Sequence, residues 1–490
     1  MTQNKFWLDF AKIASAAVMS QTIIFATTPI FTRLYDPVTV GIAAVFMAVV
    51  FSIAPVSSFS YNQALVLAND DNEAASIAAL SFLLTLAVSV ILMFPFGMFP
   101  EACFSFLVSP ELRNLLWLIP VNIFIKGIGT ILLMESTRES SFGTQGRSRI
   151  IQTVSERVLV LGAGVMGKAE PAAIIIGRMI SYFLEAASFR EIFAKFIVQA
   201  RSLSFHSLKA VASKYHQFPL YANWTYLLAN LSAYVAVFLI AFFFNAEFTG
   251  LYVISERVLF TPLIIFGDSL KNVYYQKAVT QRDDPNQLQV FYLKIRERLL
   301  AYGIFPALLM FCFGREVFRL FLGARWETAG HIAGILCLAA FFQFISTPIM
   351  SLVNVLGKQK QFLLFTGLLL GVKFISITIG GLKGQPIMAV WLITIGGSLT
   401  YIAIHCWIDR LLSVHIWLLF IQLLKYSLIA LSLLSGIVMM HYYFTGMLAL
   451  ILALTCATLL YYSVVVHIVE NKSIVTILKQ IGRMKNARKF

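Results

Sequence analysis

The chain is 490 residues long, 59% hydrophobic and 12% charged, against roughly 25% charge in soluble domains, and its mean hydropathy is +0.81. That composition excludes an ordinary soluble enzyme. Lys and Arg number 38 against 23 Asp and Glu, a formal charge of +15, but the excess lies mainly in short segments between apolar runs and in a tail over 479–489, where anionic headgroups account for it without nucleic acid.

A hydrocarbon core about 30 Å thick takes about 20 helical residues to cross. Runs of that kind lie at 10–32, 38–60, 74–97, 114–134, 147–168, 170–192, 219–244, 248–272, 296–321, 328–356, 361–380, 385–408, 417–440 and 445–467, which predicts an all-α integral membrane protein of about fourteen transmembrane helices. Asp9 and Lys12 interrupt the first run, so a retained helix is expected rather than a cleaved signal peptide. With the N-terminus inside, 25 of the 38 basic residues lie in or beside inner segments and 7 in or beside outer ones. This is the positive-inside pattern, and it predicts that both termini are cytoplasmic. The outer loops are short, so the work is expected to happen between helices.

In chain order, the spans carry charges that hydrocarbon disfavours. An ionisable group at the bilayer centre costs about 2.5 to 3.5 kcal/mol on insertion scales, so it is expected to face a water-filled cavity or a counter-ion. Arg33 closes the first span, where a headgroup contact is the simpler reading. Lys126 lies mid-way along the fourth span and Lys373 along the eleventh, too deep to reach an interface easily. Arg178 shares a helix face with Glu185 seven residues on, and an internal ion pair between them is expected. Arg257 follows Glu256 in the eighth span, and adjacent helical residues point apart. Asp268, Glu256, Glu185 and Glu156 are the carboxylates deep enough to carry a coupling proton or sodium ion. Gly367 and Gly371 form a small-xxx-small pair that predicts close packing.

Other patterns carry less. Five cysteines (Cys103, Cys312, Cys337, Cys406, Cys456) and seven histidines are scattered without ligand spacing, so no metal site, disulfide framework or cofactor is expected. Gly162-Ala163-Gly164-Val165-Met166-Gly167-Lys168 imitates a phosphate-binding loop, but Ala169 stands where magnesium would need Ser or Thr, and the run falls at the end of a span. A turn is the expected structure, with Pro171 in the first turn of the next helix.

Pro37-Val38-Thr39-Val40-Gly41 enters span 2, which reaches Pro55 and exits through Tyr61-Asn62-Gln63-Ala64. Ala246-Glu247-Phe248-Thr249-Gly250 enters span 8, which reaches Pro262 and exits through Tyr275-Gln276-Lys277-Ala278. Spans six apart run in the same direction, which predicts a two-lobed transporter with its axis along the membrane normal. A second echo, Ser-Glu-Arg-Val-Leu at 155–159 and 255–259, joins non-equivalent spans and is read as coincidence.

Four segments in order then resemble the polysaccharide transporter (Wzx-type) flippases of the multidrug/oligosaccharidyl-lipid/polysaccharide exporter superfamily. They are Pro29-Ile30-Phe31-Thr32-Arg33-Leu34-Tyr35-Asp36-Pro37 with Gly41; the acidic turn over 64–75; Lys214-Tyr215-His216-Gln217-Phe218-Pro219-Leu220; and Gly250-Leu251-Tyr252 with Arg257, Pro262 and Tyr274-Tyr275-Gln276. The resemblance spans roughly residues 10–410. It implies a six-helix lobe over 1–193, a basic linker over 194–218, a second six-helix lobe over 219–410, two further helices over 411–469 and a cytoplasmic tail over 470–490.

The same resemblance implies a protein of the bacterial plasma membrane that is no enzyme. Such a protein carries undecaprenyl-pyrophosphate-linked oligosaccharide to the outer leaflet for O-antigen, capsule or exopolysaccharide assembly, beside a glycan polymerase and chain-length proteins. Arg33, Lys126, Arg257, Lys373 and Arg178 would then offset the phosphate charge. A cation-coupled multidrug-type exporter is the alternative, and its cavity should favour carboxylates; a membrane glycan polymerase or ligase is a weaker one, since it should show a large outer loop.

Overall fold

The computed structural model describes residues 3–98, 110–200, 204–281, 284–443 and 447–470. The tail beyond Glu470, Cys103 and the side chain of Asp268 lie outside the described residues. All regular elements described are helical. The long ones are α1 (Gln3–Leu34), α2 (Pro37–Ile53), α3 (Asp71–Met93), α4 (Leu118–Arg138), α5 (Phe142–Val165), α6 (Pro171–Ala187), α7 (Arg190–Ala200), α8 (Phe205–Lys214), α9 (Asn223–Phe243), α10 (Ala246–Thr280), α11 (Pro285–Leu322), α12 (Glu327–Ile349), α13 (Gln359–Leu382), α14 (Pro386–Leu411), α15 (Trp417–Tyr443) and α16 (Met447–Glu470).

Among the described residues, ten helices are long and apolar enough to cross a membrane, or eleven if the bent pair Pro171–Ala187 and Arg190–Phe196 is one span. The remaining predicted spans fall on α5, α10 and α11. Within α5 stand Arg147, Arg149, Glu156 and Arg157, α10 includes side chains that are not described, and α11 kinks at Phe313, where φ is −121°. The protein is therefore a multi-pass, all-α membrane protein.

The chain divides into two compact units. The first takes Met1–Ile254 with Arg319–Trp326 and Ile377–Pro386; the second takes Ser255–Phe318, Glu327–Ser376 and Ile387–Phe490.

In the first unit, small residues decide which helices meet. A Cβ on Gly177 of α6 would stand 2.9 Å from Val160 of α5, and one on Gly164 of α5 would stand 3.1 Å from Leu34 and Tyr35. The Tyr35 hydroxyl then reaches the Val160 carbonyl at 2.7 Å, tying α1, α5 and α6 together. Past Val165 the chain turns at Gly167, which has a φ of +78°, and α6 begins at Pro171; the phosphate-loop imitation is this turn.

The two echoing entry segments meet each other in this unit. Asp36 caps α2, accepting from the Thr39 N–H at 2.7 Å, and Asn245 caps α10, accepting from the Phe248 N–H at 2.7 Å. Five residues beyond each cap the backbones touch: a Cβ on Gly41 would lie 1.8 Å from the Ala246 carbonyl oxygen, and one on Gly250 would lie 1.9 Å from that of Pro37. Glycine is required on both sides of this reciprocal contact. Around it, the indole of buried Trp326 donates to the Thr32 carbonyl at 2.7 Å, and Gly381 has room for hydrogen alone, since its Cβ would meet the Phe243 ring at 2.2 Å.

Beyond the entry the echo fails in the backbone. After Pro55 the helix tightens over Ala54–Val56, Phe59 and Ser60 adopt left-handed φ of 51° and 60°, and Tyr61–Leu67 is a 3-10 helix. Side-chain bonds sustain the break: Ser57 donates locally to the Ala54 carbonyl at 2.8 Å, and Ser60 donates to the side-chain oxygen of Asn223 at the start of α9 at 3.1 Å. By contrast, α10 runs through Pro262 to Thr280.

The second unit is built on α11. Tyr461 of α16 stacks on Phe305 at 4.5 Å and donates to the Ala301 carbonyl at 2.7 Å, while Tyr426 of α15 donates to Glu297 at 2.8 Å. Gly314 and Gly330 bring α11 against α12, each blocking a Cβ on the other with its carbonyl, at 2.5 and 2.2 Å. The expected packing at Gly367 and Gly371 is corrected here, because a Cβ on either would meet nothing within 4 Å. Their helix, α13, turns much of its surface outward, with Leu363 68% and Leu364 75% exposed.

Candidate functional site

The first unit holds a network of charges between its helices. Gly177 lets α6 approach α5, and the next residue, Arg178, reaches across to Glu156, its Nη2 donating to Oε1 at 2.6 Å. Gln152, one turn before Glu156 on α5, donates to the other carboxylate oxygen at 3.0 Å. Lys126 of α4 donates to Glu185 of α6 at 2.9 Å, and its ammonium also sits 4.7 Å from the centre of the Tyr182 ring. Phe51 of α2 bridges Tyr182 and Tyr234 of α9, with ring centres 6.5 and 5.7 Å away. Arg178, Tyr182 and Glu185 follow i, i+4, i+7 spacing, which puts all three on one face of α6.

The expected Arg178–Glu185 pair does not form. Seven residues are two helical turns, about 10.5 Å of rise, whereas neighbouring helices offer partners in direct contact. Arg178 takes Glu156 and Glu185 takes Lys126, so two candidate substrate cations pair with two candidate coupling carboxylates.

A third cation completes the network. Arg157 lies 4.0 Å from Glu156 and 5.8 Å from the centre of the Phe31 ring, and its Nε is buried without a partner. Three cations facing two carboxylates leave one net positive charge. The five side chains are between 7% and 25% exposed, so the network is not sealed within the protein. An anion with several oxygens could take Lys126 and Arg178 from their carboxylates, and arginine offers such oxygens a planar pair of donors.

The other candidates lie elsewhere. Arg33 is exposed at the end of α1, in the first unit, its Cγ 3.8 Å from where a Cβ on Gly323 would stand. Glu256 and Arg257 of α10 and Lys373 of α13 are half-buried residues of the second unit. Lys373 has no ion pair among the described residues.

Sequence reasoning missed Arg157, Gln152 and Tyr182. It also missed a dry pair in the second unit, Arg296 of α11 with Asp409 of α14, which touch at 2.5 Å with both side chains 0% exposed. Both stand at predicted span ends and read there as inner-loop charges. The one available signal was an acidic residue in the last turn of a helix, where the macrodipole disfavours it without a cation.

The acidic turn and the Lys214 loop, distant in sequence, also come together. Glu73 in the first turn of α3 accepts from the Lys214 ammonium and, at 3.2 Å, from the Tyr215 hydroxyl. The bond to Glu73 raises the Lys214 ammonium above its ordinary value. Nearby, Tyr61 donates to the Ala212 carbonyl at 3.1 Å.

The chain is thus an all-helical, multi-pass membrane protein with ion pairs held between its helices. The chain belongs to a family of polysaccharide biosynthesis proteins, whose pattern it matches over residues 30–330. Its fold is similar to that of the lipid II flippase MurJ in an inward closed conformation, with a TM-score of 0.72 and 16% identity over 93% of this chain and 98% of that one. It is also similar to a multidrug resistance MATE family transporter of the MOP superfamily in an inward-facing conformation, with a TM-score of 0.56 and 15% identity over 82% and 98%. No curated protein matches the sequence.

Proposed function

We propose that the protein is a flippase that carries an undecaprenyl-pyrophosphate-linked oligosaccharide from the cytoplasmic to the outer leaflet of the bacterial plasma membrane by alternating access. The observation that carries this reading is the partly exposed network Lys126–Glu185, Arg178–Glu156 and Arg157, with its surplus of one positive charge. A sugar headgroup on a pyrophosphate cannot cross hydrocarbon unaided. In this network the pyrophosphate displaces Glu185 from Lys126 and Glu156 from Arg178, and the released carboxylates are left free to bind protons. The surplus cation argues against a multidrug-type site for cationic compounds, where carboxylates should prevail.

In this reading there are fourteen crossings, two six-helix lobes over 1–193 and 219–410, and both termini in the cytoplasm. The glycine contact of Gly41 with Gly250, the Trp326–Thr32 bond and the Gly381–Phe243 contact then all fall at outer ends of helices. A glycan polymerase and chain-length proteins would take up the product.

The test is glycan export from cells at matched protein levels. Lys126→Ala and Arg178→Ala should each lower export at least about tenfold, the scale of one charge-assisted hydrogen bond, with Arg178→Lys falling between. Parental export by both alanine variants would overturn the reading.

A further inference from the structure

The second unit carries a cleft of about 270 Å³ where α11 meets α12, with one wall from α14. Its floor is the contact of Gly314 with Gly330, where each backbone leaves the other no room for a Cβ. Neither position therefore puts a side chain into the space. Around that floor stand two opposite charges and an aromatic wall: Arg315 and Glu316 come from α11, His331 from α12 and Trp391 from α14. The Phe311 ring lies 6.4 Å from that of Trp391 and edge-on to it, at 75°.

Arg315 and Glu316 are adjacent in one helix, so their side chains diverge. Among the described residues neither has an ion pair, and the Glu316 Oε2 is buried without a partner. Arg315 is near enough to His331 for its charge to act on the imidazole. A partly buried carboxylate without a partner calls for a cation, and a guanidinium beside an imidazole offers donors to an anion with several oxygens. One cleft makes both demands.

The level of the cleft narrows the ligand. In the predicted crossings over 296–321 and 328–356, Arg315, Glu316 and His331 each lie within two turns, about 11 Å, of the ends that adjoin each other. Headgroups and glycerol backbones occupy that level, and the hydrocarbon centre does not.

We propose that this cleft binds the headgroup of a phospholipid bearing a primary amine, as in phosphatidylethanolamine. The phosphate takes Arg315 and His331, and the ammonium takes the Glu316 carboxylate with the Trp391 ring beside it. A purely anionic headgroup, or a pyrophosphate, would leave that carboxylate unmatched and meet its charge, whereas a zwitterion satisfies both ends. The cleft shares no residue with the network of the first unit, and its assignment rests on the membrane class of the chain and not on the flippase reading.

Cys312 gives the site a local readout, because it lines the same cleft and is exposed. The experiment measures alkylation of the purified full chain by N-ethylmaleimide in detergent, with phosphatidylethanolamine or phosphatidylglycerol of matched acyl chains added, and quantifies each cysteine by peptide mass spectrometry. With the ethanolamine lipid, Cys312 should react at least about tenfold more slowly than with the glycerol lipid, the affinity ratio of one charge-assisted hydrogen bond. Exposed Cys456, which does not line the cleft, should react equally with both. Glu316→Gln keeps the shape, removes the charge and should reduce the difference at Cys312 to less than about twofold, on the scale of an unperturbed surface site. Equal protection of Cys312 by the two lipids in the parent, or a preference that survives Glu316→Gln, overturns the proposal. If Glu316→Gln fails to fold, the comparison of the two lipids on the parent still decides it.

Discussion

The two charge networks differ in exposure. In the first unit, Lys126, Glu185, Arg178, Glu156 and Arg157 share three helices, keep between 7% and 25% of their side chains exposed and carry an odd positive charge. In the second, Arg296 and Asp409 are balanced one to one and wholly buried. Where that exposure admits water, the Coulomb energy of each pair in the first unit is lowered, so a competing anion exchanges with a carboxylate at modest cost. In the second unit no competitor has access, and removing one partner strands a charge in a dry core. In the flippase reading, similar residues serve as a binding surface in one place and as a lock in the other.

The largest effect should come from splitting the dry pair. Arg296→Gln alone should destabilise the protein by about 3–5 kcal/mol, read as a lower melting temperature in detergent, and adding Asp409→Asn should recover most of it. Equal losses in the single and double variants would erase the distinction between the networks.

Next, Lys126→Ala should cost no more than about 1 kcal/mol of stability, because water and the Tyr182 ring can serve its surroundings, even though it costs export heavily. A large fall in melting temperature would move this network into the structural class.

Gly41→Val sharpens the comparison differently. It puts a branched side chain against the Ala246 carbonyl, where even a Cβ would be 1.8 Å away. Export should fall at least about tenfold, while Gly367→Val on open α13 should change it less than about twofold, on the scale of an unperturbed surface site.

The smallest effect should be at the exposed Lys214–Glu73 contact. Lys214→Ala should cost about 0.2–1 kcal/mol, measured by the same melting assay.

How much of this was legible in the sequence varies by element. The membrane class followed from apolar runs, and the turn at Gly167 from Ala169 and Pro171. Burial of charge was legible at Lys126, Arg178, Glu185 and Glu156, because a single helix reveals depth. Their partners were not: Arg178 and Glu185 share a face of α6, but pairing depends on how near α4 and α5 come, which Gly177 settles through packing. Asp409 and Arg296 stayed hidden because each sits at the edge of a predicted apolar span and reads as an interfacial charge until α14 is seen against α11. Gly41 was visible as part of an echo, but its role appeared once its counterpart Gly250 was found pressed against it.

The central claim is that the partly exposed network, and not the wholly buried one, receives the pyrophosphate. Its most direct test is binding of undecaprenyl pyrophosphate, compared with undecaprenol, to the purified protein in lipid nanodiscs. The parent should prefer the pyrophosphate at least about tenfold, 1.4 kcal/mol. Lys126→Ala with Arg178→Ala should abolish that preference, and Arg296→Gln with Asp409→Asn should keep it. A preference that survives the first double substitution and vanishes with the second would contradict the account.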